Sequence, residues 1–260
     1  MDIVLIGSGN VATVLGKSAV HSGHRVVQVF SRNKKHAECL ATELHAANTD
    51  AIPSVIRTAD LLIVAIRDDS IPAFARAFGF TKSLIAHTAG AVSIKLLKEN
   101  AENFGVLYPV QSLRKEIFPY PPIPFLVDGN NRFAREQLTG FAKTISGSVI
   151  GADDETRLKY HVSATIVNNF TNYLYTLAAD FCMKEKLSFS ILQPLIEETA
   201  SRLRSRPARD SQTGPALRDD QSTLSKHRQL LAEYPAIAIF YDLFSKEIVR
   251  DRETAGQNIQ

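Results

Sequence analysis

Apolar and polar positions come in short alternating blocks over the first 150 residues. Nearly continuous apolar runs at 2–6, 24–30, 60–66, 83–87, 104–107, 123–127 and 146–150 predict strands. Between most of them, amphipathic spacing predicts helices at 10–21, 33–46, 70–78, 93–101 and 131–144. Strands that are apolar throughout are buried on both faces, so the alternation predicts a parallel sheet with helices on either side. Segment 108–124 breaks the pattern with Pro109, Pro119, Pro121, Pro122 and Pro124. Proline donates nothing to a central ladder, so this stretch reads as an irregular excursion.

Past Gly151 the period becomes helical. One long helix is predicted from Asp153 to about Lys186, with no proline or glycine inside it and with Asp153, Asp154 and Glu155 at its positive end. Further helices are expected at 188–205, 219–232 and 235–250, a turn at Thr213-Gly214-Pro215, and a polar, frayed tail after Arg250. The expected fold class is therefore α/β: a Rossmann-type parallel-sheet domain over residues 1–151, followed by an all-helical domain over 152–260.

Composition narrows the function classes. The 260 residues are 45% hydrophobic and 22% charged, ordinary globular values, and a net charge of +3 is too small for a nucleic-acid footprint. Cys39 and Cys182 form no C-x-x-C pair and read as thiols of a reducing compartment. The first strand begins at residue 2, and no apolar run approaches the roughly 18 residues of a membrane span. The expectation is a cytoplasmic protein with a small-molecule ligand, no nucleic-acid or membrane partner and no metal.

The first strand runs straight into Gly7-Ser8-Gly9-Asn10-Val11-Ala12, the G-x-G-x-x-A fingerprint in the strand–turn–helix context it requires. Gly7 allows the tight turn, Gly9 lets a pyrophosphate approach the backbone, and Ala12 lets the helix pack closely on the sheet. The helix start then offers N–H groups and a positive dipole end to phosphate. The second strand ends in Ser31-Arg32-Asn33, and no acid lies between Gly9 and Glu38. An NAD site places Asp or Glu near this strand end for the ribose 2′-hydroxyl. A hydroxyl, a guanidinium and an amide there suit a 2′-phosphate instead, so the expected cofactor is NADP(H).

Other strand ends extend the site. Ala65 and Ile66 close the strand at 60–66, where backbone would pass the cofactor's ribose, and Asp68 and Asp69 after them read as helix caps. His87 and Thr88 stand where the nicotinamide would arrive. On the long helix, His161, Thr165, Asn168 and Asn172 share one face at α-helical spacing, with Asn169 beside them. Such a stripe fits either a helix–helix seam or a cleft facing the cofactor. In the second reading His161 donates a proton and Asn169 orients the substrate. The arginines at 202, 204, 206 and 209 read as a solvated turn with surface ion pairs. Asp220, Thr223 and His227 share a face on which either of the first two can cap the helix or hold His227.

With these residues in view, the chain resembles the bacterial NADP oxidoreductases that pair a Rossmann-like domain with a C-terminal domain of unknown function, distant relatives of the pyrroline-5-carboxylate reductase and 6-phosphogluconate dehydrogenase group. The resemblance rests on Gly7 to Ala12, on His87-Thr88-Ala89-Gly90, and on Tyr160-His161 with Asn169. It is completed by Thr213-Gly214-Pro215 leading to Arg218-x-Asp220-x-x-Thr223-x-x-x-His227. Two positions depart from the family's habit: Ala89 stands where serine is frequent, and Tyr108-Pro109 where histidine-proline is common. Lys159 and Ser163 do not form the lysine–asparagine pair of the hydroxyacid dehydrogenases, so Lys159 is not expected to be the acid. The resemblance implies a helical domain that dimerises, but it supplies no substrate. The leading expectation is an NADP(H)-dependent oxidoreductase that transfers hydride to or from a small carbonyl or imine. The rival expectation is a non-catalytic NADP(H) sensor or scaffold; a third is hydride exchange with a deazaflavin carrier.

Overall fold

In a computed structural model, residues 1–257 are described, with side chains through 254. The chain divides into two compact units, Met1–Asn168 and Asn169–Gln260. The first unit holds β1 (Asp2–Ile6), α1 (Asn10–His21), β2 (Arg25–Phe30), α2 (Lys34–Glu43), β3 (Ala47–Thr49), β4 (Leu61–Val64), α3 (Ile71–Phe78) and β5 (Leu84–His87). Then come β6 (Phe104–Pro109), β7 (Phe125–Gly129), α4 (Arg132–Ile145), β8 (Val149–Gly151) and α5 (Asp154–Ala164).

The strands form one sheet in the order β3-β2-β1-β4-β5-β6-β7-β8. Side chains alternate across it. Ile3 and Leu5 pack with α1, α2 and α4 residues such as Leu15, Leu40 and Phe141, while Val4 and Ile6 pack on the other face with α3 residues such as Phe74 and Phe78. This two-sided burial explains the unbroken apolar strands. From β1 the chain winds outward to β2 and β3, then crosses back to β4 on β1's other side. That reversal opens a crevice at the carboxyl ends of β1 and β4.

Three features differ from the sequence expectation. Strand β3 is a short, polar-leaning piece, Ala47-Asn48-Thr49, without an apolar signature. The 93–101 segment holds only a 3-10 turn, Ile94–Leu97. And β7 runs antiparallel to β6. The prolines of segment 110–124 replace a helical crossover, so the chain turns back directly instead of returning parallel.

The second unit contains α6 (Thr171–Lys184), α7 (Gln193–Arg202), α8 (Gln221–Leu230) and α9 (Pro235–Gln257). Helix α9 passes beyond Arg250 rather than fraying there; residues 258–260 lie outside the described residues. Asp220 caps α8 by accepting from the Thr223 N–H at 3.0 Å and from its hydroxyl at 2.7 Å. His227 is held by Tyr241, Nδ1 to Oη 2.7 Å, rather than by the capping pair. Arg202 pairs with Glu198 and Arg209 with Asp251, as a solvated turn requires. Helix α5 belongs by compactness to the sheet unit: its buried Arg157 ties it to the segment after β5 through Val92. No helix among the described residues is long and apolar enough to cross a membrane.

Candidate active site

A cavity of about 850 Å³ lies at the crevice, and its wall is built from the ends of β1, β2, β4 and β5. Gly7, the first residue past β1, adopts φ +125° and donates its N–H to Phe30 O at 2.8 Å. A Cβ here would stand 2.2 Å from the Ala65 carbonyl oxygen. Both the angle and the contact with the end of β4 demand glycine. Gly9 is the N-cap of α1 and makes no side-chain cap. A Cβ added there would meet nothing within 4 Å. The first-turn N–H groups of α1, with no side chain closing them off, lie next to open space on the cavity wall. That cradle suits a phosphate group.

The end of β2 supplies the next wall. Ser31 Oγ accepts from Ser8 Oγ at 2.9 Å and from the Asn33 N–H at 3.3 Å, which ties the two loops together. Asn33 caps α2, its side chain accepting from the His36 N–H at 3.2 Å. Arg32 is exposed on the rim, and among the described residues it has no hydrogen-bond or ion-pair partner. Opposite, Arg67 grips Asp69 through Nε at 3.2 Å and Nη2 at 2.7 Å. This pair holds the Asp69 carboxyl below its usual range.

Asp68 corrects a sequence expectation. It lines the cavity, yet it caps no helix: the N-cap of the 3-10 turn is Arg67, that of α3 is Ser70, and neither makes a side-chain cap. Burial raises its pKa, the Asp69 charge adds to this, and His161 opposes it. His161 sits on α5 with Nδ1 2.9 Å from the Tyr108 hydroxyl, the two rings edge to face at 5.7 Å. Both rings press onto Gly90, where a Cβ would come within 2.6 Å of His161 Nδ1 and 3.0 Å of Tyr108 Cζ. Burial, and next the charge of Asp68, raise the Tyr108 pKa, while Arg157 works against them. Asp68 on the wall, Tyr108 from β6 and His161 from α5 thus lie within electrostatic reach of one another. They form an acid–base cluster of which Asp68 lines the cavity, while Tyr108 and His161 are not among its lining residues.

Of the residues singled out in sequence, Gly7, Ser8, Gly9, Asn10, Val11, Ser31, Arg32, Asn33, Ala65, Ile66 and Thr88 all line this cavity. Ala12 does not; it is fully buried in the core beneath α1, the packing role its small side chain allows. His87 is likewise turned away. It is wholly enclosed, and its Nδ1 accepts from the Ala89 N–H at 3.2 Å. Side chains alternate along a strand, so the neighbour Thr88 reaches the wall instead.

Asn169 lies in a π-helical turn, Thr165–Phe170, and is exposed. The i→i+5 bonding of that turn breaks the 3.6-residue period, so the stripe expected from His161 through Asn172 does not continue at α-helical spacing. Sequence reasoning gave no role to Tyr108 or Arg157, and named Gly90 only within the motif His87-Thr88-Ala89-Gly90. The only trace of the first was the departure at Tyr108-Pro109.

Comparison with known proteins places these features. Residues 2–90 match the family described as NADP oxidoreductase coenzyme F420-dependent, and residues 123–248 match a domain of unknown function, DUF2520. No curated protein matches the chain. Among solved structures, a Bacteroides fragilis protein titled a putative NADP oxidoreductase is 35% identical, with 96% of this chain and 98% of that one covered and a TM-score of 0.89. A reductive aminase from Aspergillus terreus, in complex with NADPH and ethyl-5-oxohexanoate, shares 16% identity over 96% of this chain and 94% of that one, with a TM-score of 0.72. A 1-pyrroline-5-carboxylate reductase from Streptococcus pyogenes shares 13% over 96% and 98%, with a TM-score of 0.65. At these last two identities the likeness is one of fold.

Proposed function

The chain belongs to the family of NADP oxidoreductases that join a Rossmann-like domain to the DUF2520 domain, and from that premise we propose that it reduces a small carbonyl or imine with NADPH. The observation that carries this reading is the union of an uncapped, glycine-lined helix start with an unpartnered Arg32 and no acid at the end of β2. The loop from Gly7 to Val11 would hold the pyrophosphate on the α1 N–H groups. Ser31, Arg32 and Asn33 would take the 2′-phosphate, with Arg32 offering a two-pronged, charge-assisted contact. Ala65 and Ile66 present backbone to the ribose, and Thr88 stands on the nicotinamide side. When bound, the nicotinamide supplies or accepts the hydride.

The proton is the protein's part. Tyr108 and His161 share a hydrogen bond, so a proton lost from the phenol to substrate can be replaced through the imidazole. The Asp68 charge helps to raise the Tyr108 pKa, which keeps the phenol protonated until substrate takes its proton.

We further infer a homodimer formed through the second unit. Among its described residues, only Cys182, Ala216, Leu224 and Leu231 are buried hydrophobics, while Phe170, Tyr173, Ile191, Leu195, Ile239 and Phe244 are exposed. A helical unit with so little interior needs a second surface to cover its apolar faces, and another copy supplies one.

Calorimetric titration of cofactor-stripped protein with NADPH and, separately, NADH tests the reading. NADPH is expected to bind much the tighter. Binding of neither would make the glycine turn structural and remove the enzyme reading. NADPH binding without turnover on any carbonyl or imine would favour a sensor, and turnover only with coenzyme F420 would favour the exchange that the family description names.

A further inference from the structure

Arg157 is closed off from solvent, 1% exposed, in the first turns of α5. Its Nη2 donates to Val92 O at 2.5 Å and to Asp154 Oδ1 at 2.7 Å. The same carboxylate oxygen accepts from the Ile94 N–H at 3.2 Å. Among the described residues, Arg157 Nε and Nη1 have no hydrogen-bond partner. A buried guanidinium with unpaired donors is unfavourable, and an apolar side chain of similar volume commonly packs as well or better. Packing alone therefore gives no reason for a charge at this position.

Location does. His161 follows Arg157 by four residues, one turn along the same face of α5. Gly90, against which His161 and Tyr108 meet, lies two residues before Val92 in the segment that Arg157 and Asp154 grip. The guanidinium thus joins the two pieces whose register decides whether imidazole reaches phenol: the start of α5 and the segment leaving β5. Around the pair stand Asp68 from the end of β4 and Arg157 itself, with His87 and Asp154 close to Arg157 behind.

We propose that Arg157 is a positioning residue for the Tyr108–His161 pair, clamping α5 to Val92 so that the imidazole stays within hydrogen-bond reach of the phenol. The role of that pair as proton donor rests on the function proposed above; the clamp itself does not. The test uses the full chain with Arg157→Met, Arg157→Lys, and Arg157→Met combined with Asp154→Asn, which removes the carboxylate left unpaired. His161 is followed by nitrogen-15 NMR of its ring, assigned by comparison with His161→Gln. Melting temperature and NADPH affinity are measured in parallel.

In Arg157→Met the His161 ring is expected to lose the hydrogen-bonded signature at Nδ1, while NADPH affinity stays within about twofold. Arg157→Lys, which keeps one donor and the charge, is expected to restore part of that signature. Where a reducible substrate is known, turnover is expected to fall at least tenfold in Arg157→Met with KM little changed, and its pH profile to move. Unchanged His161 signals in Arg157→Met overturn the proposal. So does loss of melting temperature and NADPH affinity together in both Met variants, which would make Arg157 merely structural. Wild-type protein that turns over no substrate counts against the reductase reading alone, because the ring signals still decide the clamp.

Discussion

At the residue scale His87 stands apart from the other histidines named from the sequence. His87 is enclosed and held neutral: burial first, and the nearby Arg157 charge second, push its pKa from 6.5 down to about 4. In the unfolded chain it takes up its proton near the ordinary value, so between those values the unfolded state binds more protons. The stability it contributes is complete above about pH 6.5 and is lost as pH falls toward about 4, by at most ~3 kcal/mol. Replacing it with asparagine keeps an acceptor for the Ala89 N–H and should flatten the fall of melting temperature over that window; equal slopes in both proteins would refute this. Arg32 carries the opposite kind of prediction. It is an exposed cation with no hydrogen-bond or ion-pair partner among the described residues, so its removal is expected to leave the fold intact. Arg32→Ala should weaken NADPH binding by roughly 10–100-fold, the range for one charge-assisted contact, and leave NADH binding unchanged. Equal losses for the two cofactors would place Arg32 away from the 2′-phosphate. Residue types at strand ends were enough to nominate both residues, but not to tell which way His87 faces. Nor could they free Asp68 from its expected capping role, because a cap is a matter of backbone angles and hydrogen bonds rather than residue type.

At the element scale, what matters is how loops and helices approach one another. The glycine at position 90 permits α5 to bring His161 onto the β6 tyrosine, since any Cβ there would overlap the imidazole. Gly90→Ala should therefore displace His161 and, for a shift of about 1 Å, reduce turnover on the order of 100-fold while NADPH affinity is kept. A variant with full turnover would separate the pair from the chemistry. The strands and helices of the first unit were largely legible, because burial on both sheet faces writes itself into near-continuous apolar runs, and amphipathic helices repeat at 3.6. Others were not. Strand β3 has no apolar run, being a short edge. The antiparallel β7 looks like any other buried strand, since direction leaves no mark on a hydrophobic pattern. The π turn at Thr165–Phe170 differs from α-helix in bonding rather than in composition.

At the scale of the whole molecule, the second unit presents apolar side chains that the chain by itself does not cover. Sedimentation or light scattering should return twice the 28.7 kDa chain mass. A monomer at micromolar concentration would contradict the dimer and leave those faces to another partner. What the sequence determined by itself was everything that depends on local order: the glycine turn between strand and helix, the missing acid after β2, the basic residue in its place, and the switch from strand period to helix period after Gly151. Neighbours along the chain suffice for these, since a phosphate turn and a buried strand each need particular residues at adjacent positions. Tertiary structure alone decided which distant residues meet. Asp68, Tyr108 and His161 come from the turn after β4, from β6 and from α5; the strand order sets the first beside the second, and the close contact at Gly90 brings the last two together. No periodicity encodes that meeting, because side-chain direction and the packing of one element on another arise only once the sheet has formed.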